Sequence, residues 1–274
     1  MLSHFFTDPI QLVSAQAAVT VIMALMMLSL ARWAGIHLEK EIIIAMARGL
    51  VQILGVGAIL LLIFDGTIAV GFVVLAAMMV LAAKTAEKRA RGLPGAYKVG
   101  LYGIILGSGT IILLMTWIGV IDTKLTAMIP LGSMIIANSM SATSLALDRF
   151  QGDVRSHRGD IETALALGAS PRTAVHPYVK SAVRASLIPR IDSLRSLGIV
   201  WIPGVMAGML LAGSQPIHAA FYQFVVMTML LTVGGVTSLF STLFMAGNIF
   251  TTAEQLALGK PTSSAPRKKG EKIK

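Results

Sequence analysis

The 274-residue chain is 55% hydrophobic and 13% charged, contains no cysteine and carries a formal charge of +10. Soluble domains run at about a quarter charged residues, so this composition excludes a soluble globular fold and predicts an all-α, polytopic membrane protein. The missing cysteines exclude disulfides and thiolate metal sites. The positive charge is no nucleic-acid footprint, because Lys and Arg lie in the segments between apolar runs, as a positive-inside bias would place them.

Crossing a hydrocarbon core of about 30 Å takes roughly 20 apolar residues, and seven runs approach that length. Met1–Pro9 lacks the basic start of a secretory signal, so the first run, about Ile10 to Leu30, is expected to be a retained span. The second covers about Ile42 to Phe64 and carries Arg48 and Gln52. Asp65-Gly66 predicts a tight turn into a third span, about Ile68 to Ala83, followed by a basic loop with Lys84, Lys88, Arg89, Arg91 and Lys98. The fourth run is about Val99 to Ile121 and the fifth about Leu125 to Leu147. After a polar stretch from Asp148 to Arg195, the sixth is about Leu197 to Ala212 and the seventh about Ile217 to Phe244. Residues 1–250 are thus expected to form one transmembrane domain, with 148–195 as a cytoplasmic loop. The basic remainder, 251–274, has too few hydrophobes to fold. Seven spans put the two ends on opposite sides. All of the 23 Lys and Arg residues except Lys124 and Arg48 then fall on one face, which places the amino terminus outside and the carboxyl terminus in the cytoplasm.

Polar groups inside spans are expensive and therefore functional candidates. Arg48 and Gln52, four residues apart, share a helix face; Arg48 could equally snorkel to the head groups. In the fifth span Pro130, Met134, Asn138 and Ser141 recur at helical spacing, with Asn138 near mid-bilayer and Ser139, Thr143 and Ser144 extending the polarity. So many amides and hydroxyls on one helix predict a substrate pathway, since helix gluing is worth only about 0.6 kcal/mol per bond. In the sixth span Pro203 and Gly204 are expected to interrupt the helix near Met206 and Met209, freeing backbone carbonyls toward a cavity. Gly103 and Gly107 read as a close-packing pair. Methionine thioethers suit copper(I) and are also plain apolar filler, so metal ligation by Met134, Met206 or Met209 stays open. The five histidines show no ligand spacing.

Within the polar stretch, Ile161, Ala164, Leu165 and Gly168 lie at i, i+3, i+4 and i+7, one face of a short helix. Asp160 can cap its start, and Glu162 suits the positive end of the dipole. Gly168 permits a stop, and Ser170-Pro171 offers an N-cap and first position for a second short helix, with Pro177 and Pro189 breaking the chain beyond it. A short helix with such a face wants a protein partner or packs back on its own chain.

Glu162-Thr-Ala-Leu-Ala-Leu-Gly168 is similar to the Glu-Ala-Ala…Gly loop by which ABC-transporter permeases dock on their ATPase. With Ala47-Arg-Gly-Leu-Val-Gln52, Ala137-Asn-Ser-Met140, Leu165-Ala-Leu-Gly-Ala169 and Ile202-Pro-Gly-Val-Met-Ala-Gly208, in that spacing, the chain resembles the FetB-like permeases. These are implicated in bacterial iron export and related to plant aluminium-tolerance permeases. It departs from their pattern at Ala137, where Gly is usual, and at Ser141, where Asn is frequent. The resemblance implies a multi-pass permease subunit in a bacterial cytoplasmic membrane, without catalysis of its own, present as two copies and moving iron or another metal-related solute. It implies that Asp160, Ile161, Glu162, Ala164, Leu165 and Gly168 couple to a separate ATP-binding subunit that holds ATP and Mg²⁺. No Gly-x-x-x-x-Gly-Lys-Ser/Thr loop occurs in this chain. A secondary transporter or ion channel is the alternative, but it should pair an intramembrane carboxylate with a coupling ion, and every Asp and Glu lies at or beyond a predicted span end.

Overall fold

The computed structural model describes residues 9–35, 37, 39–63, 66–90, 92–251 and 253–257. Asp65, Arg91 and the basic tail beyond Ala257, each named above, lie outside these residues. The described chain is mostly helical and falls into two compact units, 1–65 and 66–274.

The first unit holds α1 (Pro9–Trp33) and α2 (Glu39–Ile63). Gly35, at φ 76°, turns the chain between them, and Arg32 Nη1 lies 3.8 Å from Glu39 Oε1 across that turn. Glu39 and Glu41 occupy the first turn of α2, where negative charge meets the positive end of the helix dipole.

The second unit contains α3 (Ile68–Arg89), α4 (Ala96–Ile104), a π turn (Ile105–Gly109), α5 (Thr110–Trp117), α6 (Leu125–Ser156), α7 (Arg158–Ala166), α8 (Pro171–Arg195), α9 (Gly204–Leu211) and α10 (Pro216–Asn248). Glycine neighbours give the helix directions. Gly71 lies against Leu125 and Met128, and Gly132 against Leu75, so α3 and α6 run parallel. Gly103 meets Ser241 and Gly107 meets Thr237, so α4–α5 runs antiparallel to α10. Asn138 bonds to Leu230, Ser139 to Thr237 and Thr143 to Ser241, so α6 and α10 are parallel. Two buried clusters divide the bundle by depth. Leu75, Ile104, Ile135, Leu230 and Val233 sit in one, and Phe150, Val154, Ile161, Val179 and Met245 in the other, at the end where α6 and α10 finish.

Among the described residues, six segments are long and apolar enough to cross a membrane: α1, α2, α3, α4–α5, α6 and α10. The expected sixth span is not a continuous helix. Leu197–Pro203 is a turn, with Gly198 at φ 76° and a bridge between Leu197 and Trp201. Only the eight residues of α9 come after it, about 12 Å of helix at 1.5 Å per residue. Pro203, which has no N–H to give an earlier turn, stands at the N-cap of α9.

The polar stretch differs from the expected loop as well. α6 continues through it to Ser156, and α8 is one 25-residue helix that runs through Pro177 and Pro189. Val175, Val179, Ala182 and Ser186 bury one face of α8, and this packing overrides the lost proline hydrogen bonds. The N-terminal half of α8 belongs to the cluster at the ends of α6 and α10, while Leu194 and Leu197 pack against the other cluster. α8 therefore runs back along both helices, antiparallel to them. It must, because α6 ends and α10 begins at opposite ends of the bundle.

Candidate functional site

The polar groups of the fifth predicted span form a buried seam between α6 and α10. Asn138 Nδ2 donates to the Leu230 carbonyl oxygen at 2.5 Å. Thr237 Oγ1 donates to Ser139 Oγ at 3.2 Å, and the Thr143 and Ser241 hydroxyls pair at 3.3 Å. All five side chains are buried. Asn138 Oδ1 is enclosed without a hydrogen-bond partner among the described residues. Within one copy these bonds join α6 to α10. Ser141, by contrast, is exposed on α6, on the face continued by Leu145 and Arg149 at i+4 and i+8. Met134 is half-buried against the deeper cluster.

The seam extends to a third helix through small residues. Gly103 and Gly107 let α4 and the π turn approach Ser241 and Thr237 almost to backbone contact. Ser108, in the π turn, donates to the Ile104 carbonyl at 2.6 Å, using a carbonyl beside the irregular turn. Isolated π turns inside helices are frequent at functional positions. The sequence reading missed Thr237 and Ser241. Their signal is the run Thr237, Ser238, Ser241, Thr242 in α10, at the same three-to-four spacing used for α6.

The Pro203-Gly204 interruption is real, but its outcome is a cap. Pro203 is buried, Gly204 exposed, and Met206 and Met209 half-buried on α9. The Met206 N–H donates to Gln223 Oε1 on α10 at 3.1 Å. Gln223 thus satisfies one of the free N–H groups that begin α9, and its Nε2 is enclosed without a partner among the described residues. No local motif marks Gln223 as a cap, because the bond spans 17 residues. Arg48 and Gln52 are exposed on α2, in the first unit. Among the described residues no three His, Asp or Glu side chains converge as a metal site would require.

The short helix of the polar stretch is α7, and its C-terminal end is as expected. Gly168, at φ 90°, donates to the Leu165 carbonyl at 2.9 Å and Ala169 to Ala164 at 3.0 Å, the paired bonds of a Schellman stop. Ser170 Oγ then accepts from the Thr173 N–H at 3.3 Å, with Pro171 in the first helical position of α8. The start differs: α7 begins at Arg158 and Asp160 lies in its first turn without capping it. The apolar face also differs from a free docking ridge. Ile161 is buried in the cluster with Val154 and Met245, and Leu165 packs on the same cluster beside Phe250 and Leu256. The amphipathic pattern thus packs back on its own chain. Ala164 is half-buried, Asp160, Glu162 and Gly168 are exposed, and Leu167 stands 84% exposed at the tip. Glu162 Oε1 accepts from Arg158 Nε at 2.7 Å, so its partner within this chain is one turn away.

The model of the family described as "Uncharacterised protein family (UPF0014)" matches residues 14–250. Protein ALUMINUM SENSITIVE 3 of Arabidopsis thaliana is 34% identical over 248 residues, covering 89% of each chain. UPF0014 membrane protein STAR2 of Oryza sativa subsp. japonica is 34% identical over 220 residues, 80% of this chain and 77% of its own. Probable iron export permease protein FetB of Escherichia coli is 30% identical over 226 residues, 81% of this chain and 86% of its own. No solved structure matches the chain. With a family match over most of its length and relatives that share most of its span, the chain belongs to the UPF0014 family of multi-pass membrane proteins.

Proposed function

We propose that this chain is the membrane-spanning permease subunit of an ABC transporter, driven by a separate ATP-binding subunit and working as two copies. The observation that carries the reading is α7. It is a short helix held by a Schellman stop against the end of the bundle where Lys84, Lys88, Lys98 and Arg149 also lie. The positive-inside rule assigns that end to the cytoplasm, where ATP is available, and with α8 counted as a seventh crossing beside the six apolar segments the amino terminus is outside. The membrane is a bacterial cytoplasmic membrane. The solute is iron or another metal-related species, in line with the name of the Escherichia coli relative.

Because Ile161 and Leu165 hold α7 to its own bundle, the surface left for an ATPase is Glu162, Thr163, Ala166, Leu167 and Gly168. Leu167→Asp puts a charge into that contact, and Glu162→Lys reverses one. The Arg158–Glu162 pair is half-exposed, so losing it costs α7 only about 0.5 kcal/mol, and lost binding reports on the interface. Co-purification of each variant with the ATP-binding subunit should fall while the permease remains folded in the membrane. Normal co-purification and transport by both variants would remove α7 from the coupling role.

A further inference from the structure

We propose that the exposed edge of α8 lines the water-filled solute route of this permease and that the route takes a water-soluble oxyanion, a phosphate- or carboxylate-bearing solute. The inference rests on the permease reading above.

Depth is the first observation. The Leu187 side chain lies against Gly234 and Gly235 of α10, and Gly234 also faces Asn138 of α6. Gly234 is ten residues from Phe244, where the apolar run of α10 ends. At 1.5 Å per residue that is about 15 Å, half of a hydrocarbon core of about 30 Å. Leu187 therefore sits near mid-bilayer, with Arg184 one turn closer to the cytoplasmic end.

Charge is the second. α8 carries Arg172, Lys180, Arg184, Arg190 and Arg195 against the single acid Asp192. Opposite its buried face, Lys180, Arg184, Ile188, Asp192 and Arg195 form an exposed edge at helical spacing. Among the described residues Asp192 pairs with Arg195 at 3.6 Å, and neither Lys180 nor Arg184 has a carboxylate partner. An arginine facing lipid at that depth is costly, so this edge faces water. Between α6 and α8 it borders a recess of about 600 Å³ lined by Arg149, Lys180, Ser181, Arg184 and Ile188. The one acid paired there, Asp153, lies 3.2 Å from Arg149, which leaves the recess with an excess of positive charge. Such a wall attracts anions and repels a bare metal cation, so a metal would travel as a negatively charged chelate. A lipid head group would need cations at one level only, whereas these extend from Lys180 to Arg195, about 22 Å along the helix.

The chain has no cysteine, so single-cysteine variants report one position each. Full-length Ile188→Cys in phosphatidylcholine nanodiscs is treated with membrane-impermeant methanethiosulfonates, one carrying a sulfonate and one a trimethylammonium group. Leu239→Cys, exposed on the apolar run of α10, is the lipid-facing control. Position 188 should label and position 239 should not. The sulfonate-to-ammonium rate ratio at 188 should exceed that of free cysteine about tenfold and fall toward it in Arg184→Gln or Lys180→Gln. Inorganic pyrophosphate or citrate should slow the reaction. No labelling at 188, a ratio like that of free cysteine, or protection only when phosphatidylglycerol is added would overturn the assignment. Labelling needs no ATPase, whereas the permease reading stands or falls on ATPase co-purification, so the two failures are distinguishable.

Discussion

Three glycines on one helical segment provide a graded test of how the bundle is held. An added Cβ at Gly103 would coincide with Ser241 Oγ and lie 3.1 Å from its Cβ and 3.2 Å from its Cα. At Gly107 it would coincide with Thr237 Oγ1 and lie 2.9 Å from its Cβ and 3.0 Å from its Cα. At Gly100 the nearest atom is Thr143 Cγ2 at 3.7 Å, an ordinary van der Waals separation. A hydroxyl can rotate away, but a backbone atom moves only with its helix. Overpacking of this kind costs about 1–3 kcal/mol, and replacing helical glycine by alanine returns up to about 1 kcal/mol. Gly100→Ala should therefore be neutral or stabilising. Gly103→Ala should be destabilising by up to about 2 kcal/mol after the full return, and Gly107→Ala by more, because its added methyl would lie closer to the α10 backbone. The assay is thermal unfolding of the full-length chain in one detergent, all variants side by side. Ser241→Ala combined with Gly103→Ala should recover part of the loss. The hydroxyl overlap is then gone, and the added methyl meets only the side-chain methyl and backbone at position 241, at 3.1 Å and 3.2 Å. Equal unfolding temperatures for all three alanine variants would refute the close approach of α4 and α10.

Two further expectations concern the buried amides. Asn138→Leu removes one interhelical bond, worth about 0.6 kcal/mol, and one enclosed oxygen without a partner, so stability should change by less than about 2 kcal/mol; a large fall in transport at normal thermal stability would assign Asn138 to the solute route, and unchanged transport would leave it as helix glue. Gln223→Leu removes the acceptor for the Met206 N–H, a capping loss of about 0.5–2 kcal/mol; amide exchange at Val205–Gly208 should quicken several-fold while α10 is unaffected, and unchanged exchange would show that α9 is held by other contacts.

The features legible in the sequence were local or strongly periodic. α3, α6 and α10 arise from apolar runs long enough to cross a membrane. Gly168, Ser170 and Pro171 marked the end of one helix and the start of the next, because a left-handed glycine, a hydroxyl cap and a first-turn proline act through bonds within five residues. The polarity of Asn138 and Ser139 was equally visible, but its meaning depends on the residues opposite. A hydroxyl that pairs with Thr237, 98 residues away, looks the same in sequence as one that lines a pore. Ile161 is a similar case. A periodic apolar face says that something covers it, and here the cover is the chain's own Val154, Met245 and Ile249.

α8 was hidden for a different physical reason. Hydropathy averages over a helix circumference, which is a fair measure only when lipid surrounds the helix. A helix that buries one edge against α6 and α10 and opens the other to water needs apolar residues on the buried edge alone. α8 has Val175, Val179, Ala182 and Ser186 there, and its basic residues place the average in the range of a surface helix. The two prolines add to the disguise, since Pro177 and Pro189 each remove one backbone bond from a helix whose side packing keeps it intact. Meanwhile Leu197–Ala212, apolar on every side, imitates a span although only eight of its residues are helical. The direction of travel separates the two. α6 and α10 run parallel, so the chain between them must return the full depth of the bundle, and α8 is the element long enough to do it. A charged helix in that position is tolerated beside a water-filled cavity or where its charges are paired, and Lys180 and Arg184 have no carboxylate partner among the described residues. The same residues that concealed the crossing from hydropathy therefore mark where the solute route is to be sought.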